Sequence, residues 1–220
     1  MPDPIKVSIE TTRPKTFASA MDWPGWSRAG KTEELALDAL ASYAERYRAV
    51  VERAGLKLPA GRIDFDVVES VTGGSGTEFG VPSAITDLDR RPISASEATR
   101  VVALVEAAWQ TFDDVAAGAP AELRKGQRGG GRDRDKMVDH VHGSDHAYAR
   151  EMGIRVPPPD AADHDSVTTM RRAMLDVLGR PSDGSPLVDR KWPARYAARR
   201  IAWHALDHAR EMTDRSEPEP

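Results

Sequence analysis

The chain contains no cysteine, which removes disulfides, thiolate metal ligands and cysteine nucleophiles at once. No apolar run approaches the roughly 18 residues of a membrane span, and Met1-Pro2-Asp3-Pro4 has no signal-peptide pattern. A cytoplasmic protein with no membrane partner is the expectation. An excess of positive charge is missing too. The net charge is -4, so a nucleic-acid partner gripped by general charge is not expected. Of 31 basic residues 24 are Arg and 7 are Lys, a ratio that reflects a GC-rich genome rather than a phosphate-binding surface.

What is present is enough for a real core: 220 residues, 40% of them hydrophobic, fit one large domain or two small ones. The predicted fold class is α+β, a small strand-strand-helix-strand unit over residues 1–71 followed by a helical part. Val7 and Ile9 alternate with polar neighbours, and a second short apolar stretch surrounds Phe17. Asp22-Trp23-Pro24-Gly25-Trp26 reads as a turn. Thr32 caps a helix with Glu33 and Glu34 in its first turn, an apolar stripe from Ala36 to Val51, and Gly55 as its stop. Ile63, Phe65 and Val67 form the third strand.

Residues 72–93 carry four glycines and two prolines with little periodicity, and read as a linker. Four helices are predicted beyond them, over 94–215. Ser94 and Glu97 form a capping box before a helix with Val101, Val105, Ala108, Trp109 and Phe112 on one side. The second runs from about Asp135 to Met152, the third from Ser166 to Leu178 with Gly179 as its stop, and the fourth from near Pro193 to Asp214. Four such helices with two long connections fit a four-helix bundle. The tail, 216–220, is predicted to be disordered.

The most informative spacing is His204 and His208, one helical turn apart on the stripe formed by Ala197, Ile201, Ala205 and Met212. Two imidazoles so placed point into the core, where each needs a hydrogen bond or a metal. On the second helix His140 and His142 flank the stripe of Met137, Val141, Tyr148 and Met152, and periodicity does not choose between them. His146 lies opposite that stripe and His164 in a polar connection, so both are expected to be solvated. Asp207, about 100° around the helix from the pair, suits a salt bridge better than a ligand role. Asp145 and Glu151 are candidate partners for imidazole N–H groups. Trp203 points away from the histidines and should pack on the N-terminal unit or a partner chain, with Trp23 and Trp26 as the opposite side of that contact.

The C-terminal part carries a resemblance. Lys136-Met137-Val138-Asp139-His140-Val141 with Tyr148-Ala149-Arg150, and Arg200-Ile201-Ala202-Trp203-His204-Ala205-Leu206-Asp207-His208, resemble the second and last helices of DinB/YfiT-like proteins. The resemblance implies a DinB-like four-helix bundle binding a divalent transition metal, zinc or nickel, through His140, His204 and His208. It thereby selects His140 over His142. It also implies a transferase using a low-molecular-weight thiol, or a hydrolase, acting on a small-molecule substrate. In the basic glycine-rich loop before the second helix, Arg128 and Arg132 are the candidate substrate-binding residues, able to hold a carboxylate at a helix start.

Phe17-Ala18-Ser19-Ala20 and the run from Trp23 to Ala36 are similar to HicB-like domains. That similarity implies the alternative function, a non-catalytic protein-interaction module on a helical scaffold. Separately, a homodimer is an expected assembly.

Overall fold

The computed structural model describes residues 3–125, 130–160, 163–189 and 191–216. Arg128, the tail from residue 217 and the side chain of His164 lie outside the described part. The fold is α+β. Strands β1 (Ile5–Thr11), β2 (Thr16–Ala20) and β3 (Ser27–Gly30) precede helices α1 (Glu33–Ser42) and α2 (Ala44–Arg53), and strand β4 (Phe65–Thr72) follows. A short helix α3 (Ser75–Glu78) and a 3-10 turn (Leu88–Arg90) lead to α4 (Ala95–Gly118), α5 (Arg134–Glu151), α6 (His164–Leu178) and α7 (Ala194–Ser216).

The sheet order is β3-β2-β1-β4, antiparallel except for the parallel pair β1–β4. Because β1 alternates, Ile5, Val7 and Ile9 enter the hydrophobic core beside Ala18 and Ala20 of β2. The other face is covered as well, so all five residues of β2 are buried. There Phe17 meets Trp203 of α7 edge-on, ring centroids 6.2 Å apart. This is the docking predicted for Trp203, but its partner is Phe17. Trp23 and Trp26 pack on Tyr47 instead, and the turn between them reaches α7 through its glycine. Gly25 has φ +94°, and a Cβ there would lie 2.7 Å from Leu206 Cδ1.

Two features depart from the predicted N-terminal unit. Strand β3 is additional: four residues, with Ser27 and Arg28 buried, offer no apolar alternation to read. The single helix predicted from Thr32 to Gly55 is broken at Tyr43. The cause is visible at Leu40, whose carbonyl accepts the Trp26 indole N–H at 2.9 Å and the Tyr43 N–H at 3.2 Å. In an unbroken helix that carbonyl would accept from residue 44. The stretch 72–93, predicted as a linker, is tied down by polar contacts. Glu10 accepts from the Thr77 hydroxyl and from Ser83 N–H at 3.1 Å. Asp89 forms a two-point ion pair with Arg199 of α7, at 2.8 and 2.6 Å, with both side chains buried. Glycine and proline content conceals such polar anchoring, and Ile93 at the end of the stretch also enters the hydrophobic core.

The helical part follows the predicted boundaries. Ser94 and Glu97 make the reciprocal capping box, and Gly179 closes α6. Helix α4 packs on α7 and α6, and α5 packs on the same two, so the four form a closed ring of contacts. One hydrophobic cluster runs from Ile5 of β1 to Met212 of α7. No described helix is long and apolar enough to cross a membrane.

Candidate metal centre

Helix α7 offers a nearly continuous buried face because alanine occupies so many of its core positions, letting α4 and α5 approach. His204 is buried on that face and His208 follows one turn later, both opposite His140 of α5. The three imidazoles converge. One ring nitrogen from each lies within 4.8 Å of the others, and ring centroids are 5.0, 4.9 and 4.6 Å apart. His204 Nε2 and His140 Nε2 are separated by 3.2 Å. Two nitrogens bound about 2.05 Å from one tetrahedral zinc would lie about 3.3 Å apart, so this pair stands at chelating distance.

The protonation state suits a metal. Burial, then the positive charge of Arg132 and the neighbouring His208, pulls His140 down to about 4. Burial, then His208 and Arg200, holds His204 well below the ordinary histidine value. Both rings are therefore neutral near pH 7 and offer lone pairs rather than protons. His208 is oriented by a residue the sequence reading missed. Its Nδ1 lies 3.0 Å from Glu211 Oε2, which leaves Nε2 for the cluster. Glu211 is in turn held by Arg215 at 2.7 Å. The signal was present as a His-x-x-Glu-x-x-x-Arg spacing along one helix face.

Arg215 ties this chain of contacts to the glycine-rich loop. Its Nε donates to Arg124 O at 2.7 Å, and a Cβ on Gly131 (φ +119°) would stand 2.7 Å from its Nη2. Arg132 is exposed but within electrostatic reach of both His140 and His204. Arg200, one turn before His204, stacks its guanidinium over Tyr148 and Trp203 at 5.2 and 5.0 Å. Tyr148 meets the His204 ring edge-on at 5.6 Å.

Other candidate residues stand elsewhere. His142 is buried but is not among the converging three. His146, expected to be solvated, is half-buried with Nε2 2.9 Å from Val156 O. Asp145 faces Arg171, Oδ2 to Nε at 3.4 Å, and Glu151 pairs with Lys191 at 2.8 Å. Both carboxylates are thus drawn to cations on other elements and leave the orienting role to Glu211. Asp207 forms the predicted salt bridge, with Arg28 of strand β3 rather than with another helix, at 3.1 Å.

Set against protein-family models, curated proteins and solved structures, the chain matches none of them.

Fit to a divalent ion is supported by the donor set itself: three converging imidazoles, two of them held neutral by burial, one pair at chelating distance and one ring pinned by a carboxylate. His204 Nδ1 is buried without a hydrogen-bond partner, so the ring's polar function falls to the nitrogen facing the cluster.

Proposed function

We propose that this chain is a DinB-like metal-dependent enzyme, with α4 to α7 as its four-helix bundle. His140, His204 and His208 hold zinc or nickel, and the protein acts on a small molecule as a thiol transferase or hydrolase. The observation that carries the reading is the approach of three imidazoles from two helices to within 4.8 Å of one another. Three ligands are the number typical of a catalytic rather than a closed structural site. When bound, the ion would supply Lewis-acid activation of a thiol, water or carbonyl group.

The chain's own residues have separable tasks. His140 and His204 stay unprotonated because burial and nearby cations disfavour their charged forms. Glu211 fixes the ring of His208 through Nδ1. Arg132 and Arg200 add positive charge beside the cluster and favour an anionic nucleophile or substrate group. A cytoplasmic location belongs to the same proposal.

The test is elemental analysis of protein purified without a histidine tag. One divalent transition metal per chain, lost in His140→Ala and in His204→Ala, is the expected result. Metal-free wild-type protein that also fails to bind added zinc or nickel would overturn the reading and leave the interaction-module alternative.

A further inference from the structure

A second site lies on the neighbouring face of α7. Trp203, Asp207, Arg210 and Asp214 follow one another at helical spacing and form one wall of a cleft of about 480 Å³. The opposite wall comes from β3 and the end of α1. The volume is in the range of small-molecule sites, roughly 300–1,000 Å³.

The charge in the cleft is opposite to that of the chain. Lys15, Arg28, Arg46 and Arg210 contribute four positive charges against Asp207 and Asp214, a surplus of two, in a protein whose net charge is -4. Arg28 is the centre of interest because it is 95% covered, with only 5% of its surface exposed. One of its terminal nitrogens, Nη1, is occupied, donating to Asp207 Oδ1 at 3.1 Å and to Ser27 O at 3.0 Å. Its plane is set by stacking on Tyr43, with Cζ 3.4 Å from the ring centroid. The remaining edge, Nε and Nη2, is buried and, apart from the close approach of Tyr43, has no hydrogen-bond partner.

That edge presents two parallel N–H bonds, the fork that matches two oxygens of a carboxylate or phosphate. Trp203 Nε1, on the facing wall, is likewise buried without an acceptor. Native proteins pair nearly all such groups. Here the unmatched groups in the cleft walls are all donors, so the missing partner is an acceptor.

We propose that this cleft binds a small organic anion through a carboxylate or phosphate monoester, held side-on by Arg28 and assisted by the indole N–H of Trp203. Lys15, Arg46 and Arg210 supply the surrounding positive field, and the rings of Tyr43, Phe17 and Trp203 line the part that receives the organic body. The site is independent of the metal reading, since none of its groups belongs to the histidine cluster.

Calorimetric titration of the full chain with phenyl phosphate and with benzoate, at fixed ionic strength, tests the proposal. Saturable one-to-one binding of at least one probe is expected, weakened about tenfold or more by Arg28→Lys, which keeps the charge but cannot offer the paired donors. Trp203→Phe, which keeps a ring and removes the donor, should weaken it several-fold. Binding should persist in His204→Ala, so that loss of the metal centre and loss of this site are distinguishable. No saturable binding of either probe up to about 10 mM, a range that still detects a free energy near -3 kcal/mol, would overturn the proposal. So would unchanged affinity in both variants. Should Arg28→Lys fail to fold, unchanged affinity in Trp203→Phe is decisive by itself.

Discussion

His208 and Glu211 stand one turn apart on α7, and the carboxylate holds imidazole Nδ1 at 3.0 Å. The contact does two things. The hydrogen bond from His208 keeps the Glu211 carboxyl below its ordinary range, and the ionised carboxylate fixes which ring nitrogen faces the cluster.

Glu211→Gln should therefore weaken metal binding without removing a ligand. The expected loss is about 10- to 100-fold in affinity, measured by competition with a chromophoric chelator. His208→Ala should lose more. Equal affinity for Glu211→Gln and wild type would show that the carboxylate does not support the ring.

The Asp89–Arg199 pair makes a claim about stability. Burial alone would raise Asp89, but Arg199 and the two hydrogen bonds from Thr86 hold it below the usual carboxylate range. Removing one partner leaves a buried charge uncompensated, at about 3–5 kcal/mol. Asp89→Leu should show that loss in urea denaturation, and Asp89→Leu with Arg199→Met should recover much of it. A double variant no more stable than the single one would contradict this account. Because the folded value is depressed, the pair's contribution is present above the ordinary aspartate range and declines as pH falls below it.

Asp145 behaves in the opposite sense. It is fully buried, and desolvation outweighs the nearby Arg171 to raise it to about 7. The folded state then binds a proton that the unfolded chain has released, between the ordinary value near 3.8 and about 7. Stability falls as pH rises through that window, with a slope of at most about 1.4 kcal/mol per pH unit from this group. Asp145→Asn, which cannot ionise, should flatten the decline, so its advantage over wild type grows from pH 4 to pH 7, roughly the window just given. Parallel stability curves for the two proteins across that range would refute the assignment.

Several features were legible without coordinates because they depend on local periodicity. The capping box at Ser94 and Glu97 is a contact across one turn. The inward aim of His204 follows from its neighbours on the helix, Ile201 and Ala205, which are fully buried. His140 and His142 were equivalent by periodicity, since residues two apart flank one stripe symmetrically. The expected family resemblance, which no comparison supports, pointed to His140, and coordinates were needed to place its Nε2 3.2 Å from that of His204. Strand β3, the break at Tyr43 and the anchoring of Asp89 were not legible. Each depends on a partner distant along the chain: Ala18 beside Arg28, Trp26 on Leu40, Arg199 on Asp89.

The amino-acid order by itself determined the α+β class, the extents of the long helices and the side of α7 that faces inward, because these rest on interactions within a few residues. Only the tertiary structure decided that the three imidazoles converge, which carboxylate orients the pair, and that Arg28 and Trp203 line a second cleft. Those relationships are set by how helices and sheet pack in three dimensions. Packing juxtaposes groups whose separation along the chain carries no trace of their contact.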